Sequence, residues 1–137
     1  MPRLNFERKS EKRFEPLPEG KYLCQIEDIE EETTRRGDPM WRIRFVVTSG
    51  AHRYRWIFDR LVFSEAAKER LRMFCEAFGF ETDGEVDLDT EAFLGKRVFL
   101  DVETSTYTDR EGRERVGNEV AWAGFHRAVR EDEGLPY

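Results

Sequence analysis

The chain has 137 residues, 39% hydrophobic and 38% charged, with a formal net charge of −6. That length suits one domain with a single core, and the composition is too apolar for disorder and too charge-interrupted for a membrane span. The opening MPRLNFERKSEKRF has basic residues but no apolar run, so no secretion signal is expected.

The average charge conceals a sorting along the chain. Residues 15–34 carry seven acids and one Lys, for −6; residues 35–60 carry seven Arg and two Asp, for +5; residues 76–95 carry seven acids and no base. One stretch of an acidic protein is therefore strongly positive.

Residues 1–13 read as a flexible basic arm. LPEG (17–20) punctuates the start of strand one, KYLCQIEDIE (21–30), in which Tyr22, Cys24 and Ile26 alternate with Leu23, Gln25 and Glu27. TRRGDP (34–39) predicts a turn. In strand two, MWRIRFVV (40–47), Trp41, Ile43, Phe45 and Val47 share one face, and Arg42 and Arg44 share the other. Strand three, RYRWIFDRLVF (53–63), sets Arg53, Arg55 and Ile57 against Tyr54, Trp56 and Phe58.

The period then changes to that of a helix. Ser64 is placed as an N-cap, Ala67, Leu71, Phe74, Cys75 and Phe78 form one apolar stripe, and Gly79 suits the position just past the helix end. An acidic loop with one helical turn follows (81–95), then strand four (96–104) with Val98, Leu100 and Val102 alternating, a hairpin around Glu111-Gly112, and strand five (118–125). Cys24 and Cys75 both fall in apolar patterns and read as reduced core residues of a cytosolic protein. Three strands, a helix and two strands predict a mainly β fold, the five-stranded OB barrel, over residues 14–127, with the helix between strands three and four closing one end. Residues 128–137 are left as an acidic tip.

Chemistry is harder to find. His52 and His126 stand apart from any Cys or carboxylate at ligand spacing, and C-x-x-C, H-E-x-x-H and G-x-G-x-x-G are absent. ETSTY (103–107) supplies hydroxyls without a His, and the alternating acids Asp83, Glu85, Asp87 and Asp89 lack the Gly and Glu of a calcium loop. The expectation is a protein that is not an enzyme and holds no metal or cofactor.

The remaining signal is the basic, aromatic centre. Cations that follow phosphates and planar rings that stack on bases are what single-stranded nucleic acid requires, and OB barrels bind across strands two and three. Arg42, Arg44, Arg53 and Arg55 are expected on one exposed surface, extended by Lys96 and Arg97. Trp56 and Tyr54 are the first candidates for stacking, with Trp122 and Tyr107 behind them, while Trp41, Phe45 and Phe58 are assigned to the core. Two of these expectations conflict. If Ile57 points inward, Arg53 and Arg55 cannot point outward on a regular strand without a bulge near 55–57.

The segments FEPLPEGKY, RRGDPMWRIRFVV, AKERLRMFCEAFGF, FLGKRVFLDVET and NEVAWAGF, taken in order, resemble a family of small phage-encoded proteins. That family was long of unknown function and is now taken as OB-fold single-stranded DNA-binding proteins. The resemblance covers about residues 14–126 and implies a replication or recombination role in the cytoplasm of a bacterial host. The end of the chain, EDEGLPY, resembles the acidic tip of bacterial single-stranded DNA-binding proteins. Glu131, Asp132 and Glu133 match its acids, Leu135-Pro136 its aliphatic-proline pair and Tyr137 its terminal aromatic. It departs in lacking a long linker and in placing Gly134 between acids and plug. Such a tip implies partners among helicases, primases or polymerases, its acids meeting a basic rim while Leu135 and Tyr137 fill an apolar pocket. The expected protein is thus a largely sequence-independent single-stranded DNA-binding protein, monomeric or dimeric, with no membrane partner. A protein-binding adaptor or inhibitor, and more weakly an RNA-binding protein, are the alternatives.

Overall fold

Alternating side chains on five segments drive one antiparallel sheet. In a computed structural model, which describes residues 16–84 and 87–128, the strands are β1 (Gly20–Thr33), β2 (Pro39–Val47), β3 (Trp56–Val62), β4 (Arg97–Thr108) and β5 (Glu114–Arg127). Their spatial order is β3-β2-β1-β4-β5. The helix α1 (Lys68–Ala77) lies between β3 and β4, as the OB order requires. The basic arm and the acidic tip lie outside the described residues.

β1 is the hinge of the sheet. It pairs with β2 from Cys24↔Val47 to Thr33↔Pro39 and with β4 from Gly20↔Val102 to Gln25↔Arg97. The β1–β2 register slips between Ile26 and Asp28, and this bulge lets one strand bend between the two halves. Inward positions pack as alternation predicts: Cys24 and Ile26, Ile43, Phe45 and Val47, Ile57 and Leu61, Val98, Leu100 and Val102 are all buried.

Rings fill the core where the helix packs on the sheet. Phe74 meets Phe78, Phe93 and Phe125 at centroid distances of 4.8, 5.1 and 5.3 Å, and Trp41 lies 5.5 Å from Phe93. Phe93 follows a single 3₁₀ turn, Thr90–Ala92, in which the Asp89 side chain accepts from the Glu91 amide. α1 opens with another 3₁₀ turn, Glu65–Ala67, so Ser64 caps through its carbonyl, which accepts from Ala67 N, and its side chain makes no cap bond. The helix ends as expected. Gly79 takes φ 85°, with Phe80 N donating to Cys75 O and Gly79 N to Glu76 O.

β3 and β5 are the two sheet edges, and Arg70 on α1 bridges them. Its guanidinium donates to Asp59 Oδ2 at 2.9 Å and Arg60 O at 3.2 Å on β3, and to Trp122 O at 3.1 Å and Val120 O at 3.5 Å on β5. It also lies 4.9 Å from the Phe125 ring centroid. Both Arg70 and Asp59 side chains are only 12% exposed. Burial pushes the Asp59 carboxyl above its ordinary range, and Arg70 pulls it only part of the way back.

Arg70→Met strands Asp59 as a buried acid without its partner and should cost about 3–5 kcal/mol in a denaturant melt. Adding Asp59→Leu should return much of that loss, whereas a merely surface pair would show neither effect. The thiols give a second expectation. Cys24 and Cys75 are free and buried, which pushes their pKa to about 12 and about 11. An unfolded thiol, at about 8.5, releases its proton first, so this contribution to stability is complete below that pH and falls as pH rises through the folded values. The unfolding midpoint should drop between about pH 8 and about pH 10, and drop less in Cys24→Ala/Cys75→Ala.

Candidate nucleic-acid interface

Strand parity writes the outer face of β2 and β3 in rows. Arg42 stands opposite Arg60, Arg44 opposite Phe58, and Val46 opposite Trp56. Because Ile57 and Leu61 occupy inward slots, Phe58 is turned out and is 50% exposed. This corrects the core assignment of Phe58, while Trp41 and Phe45 are buried as expected. Trp56 meets Phe58 edge-on at 6.3 Å and 82°, and the Arg44 guanidinium lies 4.8 Å from the Trp56 ring centroid. Three side chains thus form one cation–aromatic cluster on the outer face, with Phe58 exposed and Trp56 and Arg44 half-buried.

The row through Trp56 continues across the sheet. Trp56 pairs with Val46, Val46 with Gln25, and Gln25 with Arg97. Arg97 therefore lies three strand spacings from Trp56, roughly 14 Å, on the same face. It also borders a groove of about 640 Å³ with Lys21, Leu23, His52 and Phe99. Lys96 turns elsewhere, its ammonium 5.9 Å from the Phe80 ring centroid.

Arg53, Tyr54 and Arg55 are corrected in position. They precede β3, which begins at Trp56, and lie in the connection from β2, where Tyr54 N donates to Val47 O and Val47 N to Arg55 O. Tyr54 and Arg55 thus both face Val47, a bulge just before the regular strand, and it relieves the conflict over Ile57. Tyr54 adopts φ 75°, a left-handed backbone uncommon for a bulky residue, and its ring is 65% exposed with Arg53 at 5.8 Å.

The remaining aromatics come from the β4–β5 hairpin. Between Leu100↔Phe125 and Val102↔Val120, residues 121–124 of β5 face Asp101 alone, and Trp122 stands out from this bulge, 55% exposed. Glycine suits position 124, since a Cβ there would lie 3.0 Å from Asp101 and from the Ala121 carbonyl and would press its neighbours apart. Arg70 ties Trp122 O and Arg60 O together, so Trp122 borders the β3 edge. Tyr107 sits apart along the hairpin, its ring over Gly117.

The face is not bare cation. Arg42 pairs with Glu32 at 3.3 Å and Arg44 with Glu27 at 2.8 Å, both acids on β1. His126 Nε2 lies 2.6 Å from Asp101 Oδ2, a pairing across the β4–β5 ladder that sequence spacing could not show. Among the described residues, no three His, Cys, Asp or Glu side chains gather as a metal site would. No described helix is long and apolar enough to cross a membrane.

A family model matches residues 4–130, under the description "Protein of unknown function (DUF669)". The chain belongs to DUF669. No curated protein matches the sequence. In this DUF669 protein, chemistry then resides in what the side chains present. Phe58, Arg60 and the Arg70–Asp59 pair are residues that sequence reasoning missed. An acid at the inward position between Ile57 and Leu61, and an Arg on the apolar side of the helix, were the available signals. The tip residues Glu131, Asp132, Glu133, Leu135, Pro136 and Tyr137 lie outside the described residues.

Proposed function

We propose that this protein binds single-stranded DNA, largely without regard to sequence, across the outer face of β2 and β3. The reading includes a replication or recombination role in a phage or prophage module in the bacterial cytoplasm, with the tip at 131–137 recruiting replication proteins. The observation that carries it is the outward cluster of Phe58, Trp56 and Arg44, with Arg42, Arg60 and Arg97 on the same face. The exposed Phe58 ring and the half-buried Trp56 ring offer stacking surface for bases of any identity, and the guanidiniums beside them meet phosphates. Incoming phosphates replace Glu27 and Glu32 as partners of Arg44 and Arg42, an exchange of ion pairs that costs little on an exposed surface.

One observation favours a second reading. Because β1 already supplies acids to Arg42 and Arg44, the face is charge-compensated in the free protein, as suits a protein-binding adaptor. Salt separates the two. Oligo-dT affinity should fall linearly on a log–log plot with rising salt, whereas an adaptor shows no oligonucleotide binding at low salt.

Tryptophan fluorescence titrated with oligo-dT supplies the measurement. Arg42→Ala/Arg44→Ala should weaken binding and reduce the salt slope by about 0.7 for every phosphate that is no longer neutralised, with the melting temperature nearly unchanged. Phe58→Ala should cost about 1–3 kcal/mol of binding, roughly 5- to 150-fold in affinity. An unchanged affinity in both variants removes this face from the site. Tyr54→Gly separates fold from function. Glycine accepts the left-handed backbone without strain, so stability should hold or rise by up to about 1 kcal/mol. Affinity should nevertheless fall if the Tyr54 ring meets a base.

A further inference from the structure

The seam between β3 and β5 opens outward as a groove of about 540 Å³, lined by Arg42, Phe58, Asp59, Arg60 and Glu119. The five lining residues are not equivalent. Asp59 is occupied by Arg70, and Phe58 offers a ring. Arg42 and Arg60 stand opposite each other on the outer face of β2 and β3. Glu119 is the other carboxylate. It is exposed on β5, and among the described residues no ion pair holds it.

Two features make that acid costly where it stands. It faces Glu103 in register on β4, and like charges directly opposite destabilise a ladder. It also lies on a groove whose other wall carries two guanidiniums, so it repels the phosphates they attract. A carboxylate accepts hydrogen bonds and cannot donate them. The ligand group that suits it is an N–H donor facing away from the phosphates.

Resting on the single-strand reading above, we propose that Glu119 accepts a hydrogen bond from the exocyclic amine of a base stacked on Phe58. Arg42 and Arg60 hold the backbone on the β2–β3 side, which turns the base edge toward β5. Cytosine, adenine and guanine carry such an amine. Thymine instead presents carbonyl oxygens on either side of its ring N–H, and these repel the carboxylate. The groove therefore adds a graded preference for amine-bearing bases to binding that is otherwise indifferent to sequence.

The test is a double ratio on the full chain. Oligo-dC and oligo-dT are titrated against the wild type and Glu119→Gln at one salt concentration, because the two homopolymers also differ in stacking. The dC:dT affinity ratio should fall about five-fold or more in Glu119→Gln, whose amide can also serve thymine carbonyls. Equal tightening of both oligonucleotides would mean that Glu119 only repels phosphate, and would overturn the inference. An unchanged double ratio would overturn it as well. If neither oligonucleotide binds the wild type at low salt, the single-strand reading fails first and this inference with it, leaving a basic protein segment as the groove's occupant. Glu119 is exposed and Glu119→Gln removes the clash with Glu103, so the variant should melt no lower than the wild type.

Discussion

One guanidinium holds the two ends of the sheet together. β3 and β5 are edge strands, and Arg70 satisfies carbonyls on both while neutralising Asp59. A planar fork with five donors can serve several acceptors at once, which an ammonium on a flexible stem cannot reproduce in one geometry. Placement of the helix, the groove along the seam and the β5 bulge that carries Trp122 all depend on this contact. Because Asp59 also lines the groove, the same interaction that ties β3 to β5 shapes the outer surface.

The outer face shows how charge sorting in the sequence becomes pairing in space. The acidic stretch forms β1 and the basic stretch forms β2, and they lie side by side, with Asp28 opposite Arg44 and Glu30 opposite Arg42. Part of the sorting is therefore cross-strand complementarity, which stabilises the sheet whether or not a ligand exists. Stacking does not suffer this compensation. Phe58 stays open because it projects from the outer face of the sheet, and so aromatic exposure carries more of the functional argument than cation count does.

Much of the fold was legible because two periods are hard to confuse. The alternation in 40–47 specifies β2, and the stripe Leu71, Phe74, Cys75 and Phe78 specifies the helix, with Gly79 closing it. The site was legible only in part. Arg42 and Arg44 follow from parity on a clean strand, whereas Arg53 to Trp56 depend on where β3 starts. That start is decided by a left-handed residue, Tyr54, which no propensity assigns to tyrosine. Phe58 reads as inward because large rings usually are, but Ile57 and Leu61 already hold the inward slots. Arg70 and Asp59 are distant in sequence from Val120 and Trp122, and only the approach of the two sheet edges under the helix brings them together.

The ladder of β1 with β4 stops at Gln25↔Arg97, Ile26 still bonds Gly95 and Lys96, and the strand then runs on to Thr33 with β2 as its one ladder partner among the described residues. That leaves part of the strand edge without a ladder partner, with Asp87 and Leu88 near its far end, the kind of surface on which a second copy of a chain can add itself. Asp28, Glu30, Glu31 and Glu32 occupy that length. Two such edges approaching each other would bring their carboxylates together before any backbone bond could form, so the acids of β1 also guard the protein against aggregation with itself.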